Sequence, residues 1–436
     1  MKRASGVLMP VFSLPSKYGI GCFSKEAYKF VDQLKKAGQS YWQILPLGPT
    51  GYGDSPYQSF STYAGNPYFI DLKTLVKEGL LTKKECKEVR CKEQKKIDYE
   101  KIYQNRFKIL KKAYRRFQKN DKYEKFLEEN AFWLEDYCMY MAIKDAHEGK
   151  SWSEWEELLK KREKTALEKV KEELEDEIGF YQFQQYEFDR QWKKLHTYAK
   201  EQGIQIIGDI PIYVAFDSAD VWAAPELFQF DEENNPIRVA GCPPDAFAKT
   251  GQLWGNPLYN WEYHQKTGYA WWIQRIRYCF QLYDVVRIDH FRGFDEYYAI
   301  PYGEPTAENG TWMPGPGMKL FQAIEKELGR PEIIAEDLGF LTESVLQMLK
   351  ESGFPGMKVL EFAFDSRDSG CANDYLPHNY PENSVAYTGT HDNETLSGWF
   401  DSITKEEQNM VRDYLCDHYT PKKYLYNRFI FIVFYI

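Results

Sequence analysis

Short apolar segments that end in acidic residues, with helical lengths of chain between them, limit most strongly how this sequence can fold. Asp209, Asp289 and Glu336 close three of these segments, and Asp392 follows a fourth at 384–388. Apolar segments separated by more than a hairpin turn indicate parallel strands that are joined by helices. Because the active site of a (β/α)8 barrel lies at the carboxyl ends of its strands, this pattern predicts an α/β TIM barrel. The alternative is an open doubly wound sheet, but the sequence has neither G-x-G-x-x-G nor a P-loop.

The first of three regions, residues 1–72, is predicted to begin the catalytic barrel. It contains a helix at 25–37, a strand at 41–47 and a loop at 48–67 that is rich in Gly, Pro and Ser. Long ordered loops are often functional, and this one carries several tyrosines and hydroxyls. We therefore expect loop 48–67 to bind substrate; the alternative is a well-packed surface loop.

The second region, residues 73–203, has a different composition. Lys and Glu dominate, Gly and Pro are scarce, and Leu167, Val170, Leu174 and Ile178 repeat at helical spacing. This pattern predicts an inserted, mainly helical subdomain whose charged faces are solvated, and it indicates no chemistry there.

The third region, residues 204–436, is predicted to hold the remainder of the barrel and an aromatic loop at 241–261. Within it, the stretch 284–293 reads DVVRIDHFRG. Arg287 and Asp289 lie two residues apart on a predicted strand, so their side chains share one face. The guanidinium can keep the carboxylate ionised and fix its orientation. On these residues alone, an ion pair that ties the strand to its loop is an equally good interpretation.

Composition narrows the possible functions. The net charge of −9 gives no electrostatic support for nucleic-acid binding. The eight cysteines contain no C-x-x-C pair, which favours a reduced, cytoplasmic setting. We expect neither a signal peptide nor a membrane span, because the apolar segments are short. Aromatic residues make up 17% of the chain, which suits both a core and a surface that stacks on sugar rings.

The acidic residues permit several chemistries. Three carboxylates can bind a divalent cation, but His290 and His391 beside them do not complete a compact metal-ligand set. A serine hydrolase is disfavoured because G-x-S-x-G is absent. Converging carboxylates flanked by Arg and His, facing aromatic loops, suit the cleavage of a glycosidic bond, in which one acid attacks and another protonates.

Six sequence blocks closely resemble the 4-α-glucanotransferases (amylomaltases or disproportionating enzymes), glycoside hydrolase family 77 of the α-amylase clan. They cover the chain in family order from its N-terminus to about residue 400. The blocks are WQILPLGPTGYGDSPYQSFSTYAGNPYFIDL (42–72), IIGDIPIYVAFDSADVW (206–222), PPDAFAKTGQLWGNPLYNW (243–261), DVVRIDHFRGF (284–294), IIAEDLG (333–339) and TGTHDNET (388–395).

The resemblance implies a retaining double displacement on α-1,4-glucans. Asp289 would be the nucleophile, Glu336 the general acid and then the base, and Asp392 a residue that grips hydroxyls of the distorted sugar. Retention predicts that the carboxyl groups of Asp289 and Glu336 lie about 5–5.5 Å apart. We expect the pKa of Glu336 to be raised, while Arg287 keeps Asp289 charged.

The resemblance also implies a set of substrate-binding residues. Trp254 is predicted to cover the glycosyl-enzyme or to stack on a sugar, so that loops 48–67 and 241–261 shield the intermediate from water. The implied residues are Ser55, Tyr57, Asp209, Asp245, Phe247, Gln252, Trp254, Arg287, His290 and His391.

The last part of the chain departs from the expected pattern. After the predicted helix near 406–415, the sequence runs into PKKYLYNRFIFIVFYI and ends. We therefore expect the final β/α unit of the barrel to be missing. Two alternatives to a glucanotransferase stay open at this point: an α-glucan hydrolase of the same clan, and an inactive truncated fragment. The predicted partners are an α-1,4-glucan donor and a glucose or maltooligosaccharide acceptor, with no metal or organic cofactor, no nucleic acid and no membrane.

Overall fold

The structure is a computed structural model that describes residues 3–51, 53–91, 96–244, 248–339, 341–368, 370 and 372–435. Its strands are β1 (Gly6–Leu8), β2 (Tyr41–Gln43), β3 (Gln205–Pro211), β4 (Arg238–Cys242), β5 (Gln252–Pro257), β6 (Val285–Asp289), β7 (Glu296–Pro301), β8 (Thr311–Pro314), β9 (Ile333–Ala335), β10 (Gly356–Val359) and β11 (Ser384–Tyr387). Its α-helices are α1 (Lys25–Lys36), α2 (Leu72–Lys77), α3 (Lys83–Glu88), α4 (Tyr99–Tyr114), α5 (Asp121–Glu129), α6 (Ala131–Ala146), α7 (Glu157–Lys160), α8 (Lys164–Glu173), α9 (Glu175–Glu201), α10 (Ala219–Ala223), α11 (Trp261–Lys266), α12 (Ala270–Leu282), α13 (Met318–Leu328), α14 (Glu343–Ser352), α15 (Leu396–Ser402), α16 (Lys405–Tyr414) and α17 (Tyr426–Tyr435).

Seven of the described strands form the parallel wall of a β/α barrel. β1, β2, β3, β6 and β9 are hydrogen-bonded in that order, and β10 pairs in parallel with β11. The two groups meet where the amide of Ala335 donates to the carbonyl of Pro355 at 3.0 Å. Helices α1, α9, α12, α13 and α14 come directly before β2, β3, β6, β9 and β10. This alternation confirms the predicted TIM-barrel fold class. Among the described residues, no strand connects β11 to β1.

One apolar layer in the barrel interior receives side chains from all seven strands. Its members are Leu8, Tyr41, Ile207, Val285, Ile334, Met357, Leu338, Val385 and Tyr387. Because side chains alternate along a strand, the next inward positions lie one layer nearer the carboxyl ends. Gln43, Asp209 and Arg287 occupy such positions, and the hydroxyl of Tyr387 donates to Gln43 Oε1 at 2.8 Å. The charged residues of the barrel therefore rest on an apolar floor.

Helices α2 to α9 occupy the region that was predicted to be a helical insertion. α9 is 27 residues long and anchors loop 48–67, because the Gln185 amide exchanges hydrogen bonds with the backbone N–H and C=O of Gly65 at 2.7 and 2.9 Å. The residues predicted at helical spacing, from Leu167 to Ile178, pack against one core but belong to two helices. Leu174 caps α8 with φ −113° and ψ 24°, and α9 begins at the next residue.

A second, antiparallel sheet is built on the segments between β3 and β9. Its strand order is β5-β4-β7-β8. The prediction of an aromatic loop throughout 241–261 is therefore wrong in part, since β5 lies entirely within that range. The Gly- and Pro-rich composition masked this strand. Gly241 pairs with Tyr298 and with Leu253, and a side chain at residue 241 would lie 2.2 Å from the Gln252 carbonyl oxygen.

The helices after β11 pack into a small core of their own. Phe429 in α17 is buried with Phe364, Phe400 and Val411. The final apolar segment is thus part of a packed helix rather than an extended tail. Among the described residues, no helix combines the length and the apolar content that crossing a membrane requires.

Candidate active site

Arg287 lies at the centre of a charged cluster on the apolar floor. Its Nη1 donates to both carboxylate oxygens of Asp209 at 2.8 Å, and its Nη2 lies 3.0 Å from Asp289 Oδ1. β3 and β6 pair with Asp209 opposite Arg287, so the sheet register brings the first two side chains together. The predicted contact between Arg287 and Asp289 is confirmed. The stronger contact, with Asp209, depends on the register and could not be read from the sequence.

The two carboxylates that Arg287 contacts differ in their access to solvent. The side chain of Asp209 is fully buried, whereas that of Asp289 is 32% exposed. Asp209 is therefore confined to an internal ion pair, and Asp289 is the acid that an incoming molecule can reach. A substrate atom can approach Asp289 without breaking its contact with Arg287.

Glu336 directly follows β9, the strand that pairs with β6. The backbone amide of His290 donates to its Oε2 at 2.7 Å, and the amide of Leu338 donates to its Oε1 at 2.8 Å. His290 has φ 54° and ψ 49°, a left-handed conformation that is uncommon outside glycine. This conformation directs the His290 amide towards Glu336. Both oxygens of the carboxyl group are thereby fixed by the backbone.

The two acids at the ends of β6 and β9 influence each other electrostatically. Burial raises the pKa of Glu336, against the opposing effects of Arg287 and the two backbone amides. Burial also raises the pKa of Asp289 to about 7, although the Arg287 guanidinium acts in the opposite direction. The charge of Glu336 adds to that rise. We expected Arg287 to keep the pKa of Asp289 low; its effect has that sign, but burial is stronger. Each acid therefore favours its protonated form more than an exposed carboxyl group does, and ionisation of Glu336 disfavours ionisation of Asp289.

Tyr57 connects loop 48–67 to this cluster and to loop 388–395. Its hydroxyl donates to Asp209 Oδ2 at 2.7 Å and lies 2.8 Å from His391 Nε2, and its ring stacks on the imidazole at 5.3 Å. Burial raises the pKa of Tyr57 and lowers the pKa of His391, so the phenol keeps its proton and the imidazole is neutral. Because the single phenolic proton goes to Asp209, His391 Nε2–H donates to the Tyr57 oxygen.

Asp392 differs from the other two predicted catalytic acids because its side chain is 74% exposed. Its Oδ1 lies 3.3 Å from His391 Nε2. The turn that holds it is closed by Asn393, whose Oδ1 accepts from the amide and hydroxyl of Thr390 at 2.8 and 2.9 Å. Asp392 is thus carried by a braced loop, and its carboxylate is open to solvent.

Trp254 and His290 form one wall beside the acids. Their rings meet edge to face at 4.8 Å, and Trp254 Nε1 donates to Gln252 Oε1 at 3.0 Å. Burial, with the nearby charge of Arg292, lowers the pKa of His290 to about 4, so this imidazole is neutral. An indole and a neutral imidazole together give an uncharged wall with hydrogen-bonding edges, which suits a sugar ring.

The remaining predicted residues are less central or fall outside the structure. Ser55 lies in the turn before Tyr57, and its Oγ accepts from the Tyr57 amide at 3.3 Å. Asp245 and Phe247 lie outside the described residues. Sequence reasoning missed Met357, whose sulfur lies 3.2 Å from Arg287 Nε. It also missed Asp337, which accepts from the Met357 amide at 2.6 Å; the acid pair in AED was the available signal.

Comparisons with known proteins agree with this arrangement. Residues 9–432 match the family model of glycoside hydrolase family 77, described as 4-alpha-glucanotransferase. The chain is 52% identical over 411 residues to the 4-alpha-glucanotransferase of Clostridium butyricum, covering 93% of this chain and 84% of the relative. It is 50% identical over 428 residues to that of Streptococcus pneumoniae, covering 97% and 84%. The family match runs through residue 432, and this chain covers 84% of the length of both relatives.

A solved structure is similar over almost the whole chain. Amylomaltase from Streptococcus agalactiae in complex with acarbose superposes with a TM-score of 0.95 at 43% identity, covering 99% of this chain and 87% of that one. These matches do not favour the hydrolase or the inactive-fragment alternative.

Proposed function

The chain belongs to the 4-α-glucanotransferase family, glycoside hydrolase family 77, and from that premise we propose how its residues transfer segments of α-1,4-glucans by a retaining double displacement. The observation that carries the proposal is the pair of acids at the ends of β6 and β9. Asp289 is partly exposed and touches Arg287, whereas Glu336 is partly buried and its carboxyl group is held by two backbone amides. One attacks carbon while the other moves a proton, which is the division of work that retention requires.

In the first step, Asp289 Oδ attacks the anomeric carbon of the donor glucan. The bond between that carbon and the glycosidic oxygen breaks, and Glu336 gives its proton to the departing oxygen. Arg287 holds the attacking carboxylate in orientation and favours its charged form. The raised pKa of Glu336 favours the protonated form that a general acid needs.

In the second step, the acceptor replaces the leaving group. Glu336, now ionised, takes the proton from a sugar hydroxyl, whose oxygen attacks the anomeric carbon. The ester bond to Asp289 breaks and the carboxylate is restored. Two inversions give net retention, and the reaction needs the two carboxyl groups about 5–5.5 Å apart. The pairing of β6 with β9 and the mutual electrostatic effect of the two acids support this spacing.

The loop residues bind and distort the sugar. Asp392 is the third acid, and we assign it to ring hydroxyls because its exposed carboxylate is free to accept hydrogen bonds from them. His391 and His290 contact sugar hydroxyls as neutral imidazoles, while Asp209 and Tyr57 keep Arg287 and His391 in place. Ser55 and Gln252 position their aromatic neighbours, and Asp245 and Phe247 are assigned by resemblance alone.

Transfer competes with hydrolysis for the same glycosyl-enzyme. A sugar hydroxyl succeeds only if water is kept away from the ester, and we assign that task to Trp254, which stands against His290 next to the two acids. The acceptors are glucose and maltooligosaccharides. The division into regions 1–72, 73–203 and 204–436, and a cytoplasmic location, belong to the same proposal.

The test separates the two acids with an activated donor, an α-maltosyl fluoride, which needs no proton for departure. Glu336→Gln should form the ester with Asp289 but discharge it slowly, so intact-mass and peptide mass spectrometry should find one maltosyl unit on the peptide that contains Asp289. Asp289→Asn should stay unlabelled, and both variants should lose about 10⁴-fold or more in maltotriose disproportionation. Glu327→Gln, an exposed carboxylate on α13, serves as the control. A label on another residue, or an active Asp289→Asn, would overturn the assignment.

A further inference from the structure

Glu361 lies directly beneath the loop that carries His391 and Asp392. It follows β10 in a short 3-10 helix, Leu360–Phe364, and its side chain is buried. Its backbone amide donates to the carbonyl of Thr388 at 3.2 Å, so the helix is tied to the first residue of loop 388–395. The barrel wall and the catalytic loop therefore meet at this residue.

The carboxyl group of Glu361 is packed against the backbone of Gly389. A Cβ atom at residue 389 would lie 2.8 Å from Glu361 Oε1 and 3.0 Å from Oε2, so the glycine leaves room for the acid and for nothing larger. Within the described part of the chain, Oε1 is buried and accepts no hydrogen bond. A buried carboxylate in this position would carry an uncompensated charge, whereas a neutral carboxylic acid fits at a much smaller cost.

The charges around Glu361 favour its neutral form. Burial raises the pKa of Glu361 to about 7, and the charge of Glu394 in loop 388–395 adds to the rise. Lys358 of β10 lies over the Tyr375 ring, Arg412 of α16 donates to backbone carbonyls, and Lys405 at the start of α16 is exposed. The other titratable groups on loop 388–395 and α16 are His391, Asp392, Glu406, Glu407, Asp413 and Tyr414, and Asp365 ends the 3-10 helix of Glu361.

We propose that Glu361 is a positioning residue whose neutral carboxyl group holds loop 388–395 in place, and with it His391 and Asp392, for glucan binding and transfer. The proposal rests on the function proposed above, because it gives the loop its importance. Glu361 itself touches no reacting atom. It acts through Gly389 and Thr388, two and three residues before His391.

The neutral form makes the effect dependent on pH. Below about pH 7, Glu361 is protonated and packs under Gly389 as a neutral group. As the pH rises through its pKa, a proton leaves, and a buried negative charge then faces Glu394 without a cation. The carboxylate must move towards solvent, and the backbone of Gly389 moves with it. The loop should lose its productive position as pH rises, so binding and turnover should both weaken.

The experiment compares two substitutions with different chemistry. Glu361→Gln keeps the shape of the neutral acid and does not ionise, whereas Glu361→Leu keeps bulk but removes both polar atoms. For each, kcat and KM for maltotriose disproportionation would be measured between about pH 5.5 and pH 8.5. Binding of acarbose by calorimetry would be measured over the same range, because it does not depend on covalent catalysis. Glu382→Gln, an exposed acid before β11, is the matched control.

Glu361→Gln should match the unsubstituted chain at about pH 6 and exceed it in kcat/KM by about tenfold at about pH 8, as one ionisation with a pKa near 7 requires. Acarbose affinity should diverge in the same direction. Glu361→Leu should lose about tenfold in kcat at every pH, and Glu382→Gln should follow the unsubstituted profile.

Superimposable pH profiles for Glu361→Gln and the unsubstituted chain would overturn the proposal, even if melting temperatures fell. If Asp289→Asn were active while the acarbose profiles still diverged, the covalent mechanism would fail and the role of Glu361 would stand.

Discussion

The acids on the barrel strands and the side chains on the surrounding loops are held in different ways. Asp209 and Arg287 are buried and Glu336 is partly buried, and all three are fixed by contacts that follow from strand register and backbone amides. Asp392 lies in a loop and Trp254 lies in the antiparallel sheet outside the barrel wall, and the Asp392 carboxylate is mostly in solvent. Bond breaking needs groups held within a fraction of an ångström, whereas a long and varied substrate needs groups that can adjust. The strands therefore provide the chemistry, and the loops determine what is bound and what is excluded.

Arg287→Lys is the strongest way to break the strand-held region without removing a reacting group. An ammonium cannot reach Asp209 and Asp289 together as the forked guanidinium does, so one buried carboxylate loses its partner. We expect kcat/KM to fall about 10²- to 10³-fold and the free energy of unfolding to fall by about 2–4 kcal/mol. Because Arg287 lowers the pKa of Asp289, its replacement should also move the acid limb of the rate profile to higher pH.

Chemical denaturation and a pH series of kcat/KM would check both effects. Arg277→Lys, on the exposed side of α12, is the control and should change neither quantity. Full activity in Arg287→Lys would mean that a single point charge is sufficient and that the fork geometry has no role. In that case, the strand-held acids would be no more tightly constrained than the loops.

These same residues show which features of the fold and the site could be predicted from the sequence. Period-two alternation placed Arg287 and Asp289 on one face, and the strand-end acids predicted the barrel, because both depend only on local spacing. The pairing of Asp209 with Arg287 depends on the register between two strands. These residues are 78 positions apart in the sequence, so no local pattern can predict their contact. The role of Glu361 could not be predicted for a related reason. Its carboxyl group is covered by Gly389, which lies in a loop that follows later in the chain.

The loops were predictable mainly through resemblance. Tyr57 and His391 were assigned from matching sequence blocks, since aromatic and polar residues in a loop have no periodicity to interpret, and Trp254 of β5 was assigned in the same way. The strand β5 was missed because Gly and Pro around it resemble loop composition. The break at Leu174 was missed because apolar spacing continues through it, while the backbone does not.

Tyr57→Phe tests the hydrogen bonds that join the two regions. The ring can still stack on His391, but Asp209 loses a donor and His391 Nε2–H loses its acceptor. A hydrogen bond to a charged group contributes about 1.5–3 kcal/mol, so we expect kcat to fall about tenfold. The loss should be mainly in kcat, because the strand-held acids remain intact and only the placement of His391 changes.

Steady-state kinetics with maltotriose would measure this change. Tyr63→Phe is the matched control, since Tyr63 lies in the same loop and packs its ring against Trp133 and Tyr278. Equal losses in both variants would show that the loop responds to any missing hydroxyl, and the specific link through Tyr57 would be rejected.

Of the substitutions at the site, Trp254→Ala should change total turnover least. It should instead change the ratio of transfer to hydrolysis. The acids and Arg287 are untouched, so donor cleavage should change by no more than about threefold. Removing the indole opens the wall beside His290 and admits water to the glycosyl-enzyme. We expect the ratio of transfer to hydrolysis, measured as longer oligosaccharides against released reducing ends, to fall about five- to tenfold.

Trp312→Ala is the control: Trp312 lies on β8 of the same antiparallel sheet, but its ring faces Arg292 at 4.1 Å instead of His290. If Trp254→Ala kept the ratio while Trp312→Ala lowered it, exclusion of water would belong to another part of the sheet. If only Trp254→Ala lowers it, then the barrel strands and the segments between them have separable tasks: the barrel strands make and break the ester, and this one side chain decides which hydroxyl receives the sugar.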